Sequence, residues 1–362
     1  MASVARSSDE VYFTAYRIPF SVMVKWPISQ LVNPPTRHWY VPFAAVLQVL
    51  ATSAVVARLW VRVRMRIGGF GADDLFIIFG WLFASGFCGV SMYGILMGGL
   101  DRHVWDIWSA FPQVAGRGGV AGWAMQLIFL CSLSCTKTSV LLFFLRLLDR
   151  RYHRRLYRTT IGGIGFIFVS WLAFTLVLVF DCEPIEAVYK SMDVTWPKKY
   201  TCMPREPSDV LNGITSIFTD IYSCVIPALT VHKLHMKSSR KVLPYAVLCC
   251  GIVVVGAGVG RTFYMAKMYT DSRRDISWVG YDLTVWSSLE LYLALICACA
   301  PGIKSLVSSV STNMGSKLDS QAHGSCSKFN ESIGEDRKRL NSDVQGVEKY
   351  EDIQLEYITQ KC

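Results

Sequence analysis

Charge is scarce in this sequence. Of its 362 residues only 18% are Asp, Glu, Lys or Arg, while 52% are hydrophobic. An average soluble domain carries about 25% charged residues. Here the charges cluster between long apolar runs, which excludes a soluble globular protein and points to a polytopic membrane protein. A secretory leader is also lacking. Met1 to Glu10 is polar, and the apolar stretch Val11–Val32 is broken by Arg17, Pro19, Lys25 and Pro27. The first membrane span is therefore expected to act as its own insertion signal.

Metal and redox motifs are missing as well. The twelve cysteines contain no CxxC pair, and most of them (Cys88, Cys131, Cys135, Cys224, Cys249, Cys250, Cys297 and Cys299) lie in apolar runs, where a thiol packs as a small apolar side chain. His232 and His235 have no further ligand beside them, so no metal is expected. The net charge of +10 does not mark a nucleic-acid binder. Its basic residues stand at the ends of apolar runs rather than in one stripe. The glycines of Gly256–Gly260 sit inside an apolar run, where small residues let helices approach closely. They do not form a phosphate loop.

Seven runs are long enough to cross a bilayer: Trp39–Val61, Asp74–Met97, Val120–Leu148, Ile161–Phe180, Val210–Val231, Leu243–Met268 and Leu283–Leu306. Each approaches or exceeds the ~20 helical residues that a hydrocarbon core requires. The predicted fold is an all-α membrane protein, a seven-transmembrane helix bundle over residues 39–306. Residues 1–38 precede it on the outside, and a polar, Ser-rich tail, 307–362, follows as a disordered cytoplasmic segment.

Orientation comes from the short loops. Arg62, Arg64 and Arg66 follow the first run, Arg150, Arg151, Arg154, Arg155 and Arg158 the third, and Lys233, Lys237, Arg240 and Lys241 the fifth. The positive-inside rule puts these loops in the cytoplasm and the N-terminus outside. The remaining loops mix their bases with Asp and Glu. The bilayer is the obligatory partner, with the plasma membrane as the default location. The basic loops and tail are the surface open to a cytoplasmic signalling partner.

The ionisable residues that stand out inside the predicted spans are Lys137, Asp220, Arg261 and Glu290. A charge at the bilayer centre costs about 2.5–3.5 kcal/mol even on the lenient insertion scale, so such residues face the bundle interior and pair. Two readings stand, a polar pocket opening outward and a buried ion-pair network that sets helix register. On the inner side, Asp73 and Asp74 open the second span and Arg146 closes the third. The acids suit a helix N-terminus, and a clamp between Asp74 and Arg146 is the sharper alternative. The external loop after the fourth span holds Cys182 and Cys202, whose position on the oxidising side favours a disulfide over two free thiols.

A retinal pigment needs a Schiff-base lysine midway along the seventh span. That run has Glu290 in its outer half, and its one lysine, Lys304, follows Pro301 at the inner end. No retinal cofactor is expected.

The ordered motifs resemble the fungal rhodopsin-like domain family of integral membrane proteins, which includes the Pth-type receptors. They run from Gly71, Asp73, Asp74 and Trp81 through Gly98–Trp105 to Lys137, Ser139, Phe144 and Arg146. Asp181, Cys182, Pro184 and Cys202 follow, then Asp220, Pro227, Arg261, Trp286, Glu290 and Ala300–Gly302. The resemblance covers roughly Trp39 to Leu306 and implies a seven-helix bundle without a chromophore. Some relatives carry an eight-cysteine external domain; with no cysteine before Cys88, none is expected here. The resemblance implies an orphan receptor for an external or apolar small molecule. It implies alternatively a membrane-embedded enzyme or accessory protein of a secondary-metabolite cluster, with the paired carboxylates as acid and base.

Overall fold

The computed structural model describes residues 5–7, 10–13, 18–29, 35–65, 70–110, 112–148, 154–193, 196, 198–233 and 242–300. The tail and most of the basic residues of the third and fifth loops lie outside the described residues. A helix occupies each of the seven apolar runs: α2 (Tyr40–Met65), α3 (Ala72–Leu96), α5 (Pro112–Leu147), α6 (Arg154–Phe180), α8 (Arg205–Lys233), α9 (Val242–Thr270) and α10 (Ile276–Ala300). Short helices α1 (Phe20–Met23), α4 (Val104–Ala110) and α7 (Ala187–Lys190) lie in the connections. Strands β1 (Ala5–Ser7), β2 (Glu10–Phe13) and β3 (Ile18–Pro19) form an antiparallel sheet before the bundle. Strands β4 (Cys182–Glu183) and β5 (Thr201–Cys202) pair between α6 and α8.

Among the described residues, α2, α3, α5, α6 and α10 are long and apolar enough to cross a membrane. Helices α8 and α9 have 29 residues each, with Asp209, Asp220, Arg261 and Lys267 diluting their described portions. The apolar surface is distributed as lipid requires. Phe166, Phe168, Val169, Leu172, Leu176 and Phe180 of α6 are exposed, as are Val46, Val49, Val56 and Trp60 of α2. In water such contiguous surface marks an aggregation or interaction site; against acyl chains it is the ordinary exterior. The chain is an all-α integral membrane protein.

Four helices start five or more residues earlier than their hydropathy alone indicates: α6 at Arg154 and α8 at Arg205, and, with a visible cause, α5 and α10. Helix α5 begins at Pro112, eight residues before the predicted Val120. A Cβ placed on Gly118 would lie 2.6 Å from the Gly98 carbonyl oxygen, and one on Gly119 would lie 2.9 Å from the Tyr189 carbonyl oxygen. This first part is therefore held by backbone packing that a hydropathy reading cannot see. Helix α10 begins at Ile276, seven residues before the predicted Leu283. The Asp275 carboxylate accepts hydrogen bonds from the Trp278 amide (3.3 Å) and the Ser277 hydroxyl (3.4 Å), an N-cap that sets the helix start.

Small residues bring the helices together. The Ser132 hydroxyl donates to the Gly80 carbonyl at 2.6 Å, joining α5 to α3. In the Gly256–Gly260 stretch the glycines have separate duties. Gly260 faces the Trp286 ring, Gly258 faces Asp220 and Glu290, and Gly256 is exposed with nothing near it.

A substitution pair tests the packing. Gly118→Ala drives a methyl into the backbone of the turn after α3 at Gly98 and is expected to cost about 1–3 kcal/mol as overpacking. Gly122→Ala, four residues on, meets nothing within 4 Å and is expected to hold or raise stability, because Gly is about 1 kcal/mol worse than Ala inside a helix. Thermal midpoints of the two purified variants check the contrast. Equal midpoints would show that α5 does not touch the turn after α3 at Gly98.

Candidate functional site

The four charges inside the bundle meet. Lys137 of α5 pairs with Asp220 of α8 at 2.9 Å. Its ammonium also donates to the Thr219 hydroxyl (2.9 Å), the Ser216 carbonyl (3.0 Å) and the Ser216 hydroxyl (3.1 Å). Ser216 in turn donates to Glu290 Oε1 of α10 at 2.9 Å, and Glu290 Oε2 takes Arg261 Nε of α9 at 2.5 Å. One chain of contacts thus ties α5, α8, α9 and α10, with two cations offset by two anions. The acids do not share one cation: Asp220 takes Lys137 and Glu290 takes Arg261. Asp220 Oδ2 and Arg261 Nη2 are buried without a hydrogen-bond partner among the described residues. A cavity of about 50 Å³ reaches Lys137 and Asp220 beside Cys224, Gly251 and Cys297.

A second charge cluster closes the end of the bundle where α2 meets α3. Asp74 pairs with Arg58 (3.1 Å) and Arg62 (3.6 Å) of α2, and accepts the Gly71 amide at 3.2 Å across the start of α3. Asp73 pairs with Arg58 (2.7 Å) and Arg62 (3.0 Å), and Arg146 stands 3.6 Å from it. Of the clamp expected from Asp73, Asp74 and Arg146, the contact given is that of Arg146 with Asp73, and Arg58 pairs with both acids. Arg58 is fully buried and also donates to the Ala298 carbonyl of α10 at 2.6 Å, while Ser139 of α5 donates to the Asp73 carbonyl. Sequence reasoning missed Arg58. The signal was present, since it is a lone arginine inside the first apolar run, one turn before Arg62.

A cavity of about 120 Å³ lies toward the opposite end, between α3, α5, α8, α9 and α10. Its walls include Phe87, Met125, Phe129, Met265, Met268 and Leu283. Phe129 connects it to the ion network, because the Arg261 guanidinium stands 4.9 Å from that ring. Its polar residues include Gln126, Arg205 and Asp209, with Ser277 and Thr284 of α10; hydropathy singled out none of the first three, because each lies near the end of an apolar run. Asp209 accepts from Gln126 Nε2 at 3.0 Å and from the Tyr269 hydroxyl at 2.5 Å. Arg205 Nε donates to Asp181 at 2.5 Å.

Cys182 and Cys202 form a disulfide across the β4–β5 pair. The segment they close sends Val188 and Met192 into the cavity wall. On its outer surface Glu186 is bonded by Lys190, with Lys198 nearby, and these ammonium groups hold its carboxyl below the usual range. A further latch fastens the connection before α4 to the α9–α10 turn. The His103 ring is stacked between Trp105 (4.5 Å) and Trp278 (4.0 Å) and bonds Asp275 at 2.5 Å. The Asp275 carboxylate also accepts the Val104 amide at 3.1 Å.

An all-helical membrane bundle with buried ion pairs, a disulfide-closed connection and a small apolar cavity is the class these features define. Over residues 57–309 the sequence matches the fungal rhodopsin domain, and the chain belongs to that family. It is similar to Receptor GIN3 of Arthrobotrys oligospora, 27% identical over 281 residues, which cover 76% of this chain and 64% of that protein. It is also similar to Satratoxin biosynthesis SC1 cluster protein 4 of Stachybotrys chartarum, 22% identical over 164 residues, 43% of this chain and 56% of that protein. The chain thus spans less than two thirds of the length of the curated relatives it matches. No solved structure matches it.

Proposed function

We propose that this chain is a seven-helix receptor-like protein that takes an apolar small molecule from the outer side into the cavity between α5 and α10. The observation that carries the reading is the cavity itself, beneath the segment closed by Cys182–Cys202 and lined by apolar side chains around Gln126 and Asp209. Concave apolar sites with a few convergent polar groups are where small ligands bind. The relative named as a receptor supports the same direction. Arginines of the α2–α3 end put that end in the cytoplasm by the positive-inside rule, so the cavity faces outward. Phe129 and Arg261 then give an occupied cavity a route to the charge network, and through it to four helices. The default membrane is the plasma membrane, with the basic loops facing a cytoplasmic partner.

The second relative's name favours a different role, in a secondary-metabolite cluster. One deletion strain separates the two. Under the receptor reading, loss of the gene alters transcription without accumulating a pathway intermediate, and Asp209→Asn at normal expression and localisation fails to rescue. An accumulating intermediate would replace this reading with a biosynthetic one. Full rescue by Asp209→Asn together with Gln126→Ala would remove the cavity from either account.

A further inference from the structure

Two glycines on the cavity wall have no packing reason to be glycine. On α5 the cavity takes Gly118, Gly122, Met125, Gln126 and Phe129, and on α10 it takes Ile276, Ser277, Gly280, Leu283 and Thr284. Residues three and four apart share a helix face, so Gly122 and Gly280 each sit at the centre of the cavity-facing stripe. Gly118 and Gly119 are explained by the backbone they touch. A Cβ on Gly122 or Gly280 meets nothing within 4 Å. Four other glycines share that openness (Gly89, Gly162, Gly165 and Gly256), and all four are exposed on the outer surface. Glycine is the poorest helix former after proline, and Gly122 lies well inside a 36-residue helix.

We infer that the cavity binds a flat, rigid ring compound without negative charge and carrying a hydroxyl, its faces against the bare backbone at Gly122 and Gly280 and its hydroxyl on Asp209. The inference rests on the cavity being the ligand site proposed above. Flatness follows from the two walls without side chains, which admit a ring face where a branched chain would waste the contact. Apolarity follows from Phe87, Met125, Met265 and Leu283. The hydroxyl follows from Asp209: an ionised carboxylate offers about four acceptor sites, and Gln126 and Tyr269 each occupy one. The exclusion of anions follows from Asp209 as well, because Arg205, one helical turn before it, is bonded to Asp181 and the Asp209 carboxylate would repel a negative charge.

The test uses the full-length protein in dodecyl maltoside, read by saturable energy transfer from tryptophan to 2-naphthol. Naphthalene and naphthalene-2-sulfonate serve as the compounds without the hydroxyl and with a negative charge. Wild-type protein should bind 2-naphthol at least tenfold tighter than naphthalene, and the sulfonate should not compete. Gly122→Leu and Gly280→Leu should each weaken 2-naphthol at least tenfold without lowering the thermal midpoint, and the surface control Gly89→Leu should not. If either leucine variant misfolds, Gly122→Ala and Gly280→Ala replace them and should weaken binding in the same direction. Unchanged affinity in folded cavity variants, or equal affinity for 2-naphthol and naphthalene, overturns the inference. The outcome is separable from the receptor reading. Binding as described with full cellular rescue by Gly122→Leu sinks the receptor and keeps the ligand class. Loss of rescue by Gly122→Leu without 2-naphthol binding does the reverse.

Discussion

Arg261→Met is expected to lower the free energy of unfolding by about 3–5 kcal/mol, the usual result of removing one partner of a buried ion pair. The variant leaves the Glu290 carboxylate, itself fully buried, with the Ser216 hydroxyl in place of a cation. Glu290→Met in the same chain should return most of the loss, since replacing both partners by apolar groups is often neutral or stabilising. The return should be incomplete. Ser216 joins Glu290 to Lys137, so the double variant still removes an acceptor from a hydroxyl that touches the second pair. Equilibrium unfolding in mixed micelles measures all three variants. A single-variant loss below about 1 kcal/mol would mean that Glu290 is protonated or hydrated in the folded bundle, and the network would no longer be an ion-pair network. Lys137→Met with Asp220→Asn provides the parallel measurement on the α5–α8 side.

Arg58→Met should be comparably severe, again about 3–5 kcal/mol, and Arg146→Met mild, about 0–1 kcal/mol. The contrast is between two arginines that address the same carboxylate. Arg58 is fully buried, pairs with both Asp73 and Asp74, and holds the Ala298 carbonyl of α10. Arg146 has a side chain 42% exposed and stands 3.6 Å from Asp73. Water screens the second interaction and cannot reach the first. Arg62 retains contact with both acids in the Arg58 variant, so the loss should fall toward the lower end of that range. If the two arginines cost the same, the closure at this end depends on the α5 arginine, and the assignment of Asp74 to Arg58 is wrong.

Helix position was largely legible along the chain. A hydrocarbon-length apolar run has few ways to satisfy its backbone except as a helix, and helices stand on all seven of the runs. The starts of α5 and α10 were not legible, because one depends on Gly118 lying against Gly98 and the other on a side-chain cap by Asp275. The charged residues inside the runs were visible, since a rare and costly residue stands out against an apolar background. Their partners were not. Asp220 is within reach of Lys137, and Arg261 turns to Glu290, by rotations of neighbouring helices that no spacing along one chain encodes. The Cys182–Cys202 bond was readable because both thiols share one connection on one side of the membrane.

Composition and periodicity by themselves determined an integral membrane protein built of helices, with buried charges and no lysine placed for a retinal. Those follow from transfer free energies that act residue by residue. Tertiary structure alone decided that the buried Arg58 pairs with both Asp73 and Asp74, and that the charges close on each other. It also placed a cavity toward the end of the bundle away from Asp73 and Asp74, at Gln126, Asp209, Gly122 and Gly280. A cavity is a property of where several helices fail to touch, and that depends on crossing geometry and side-chain volume across distant positions, not on any local run of residues.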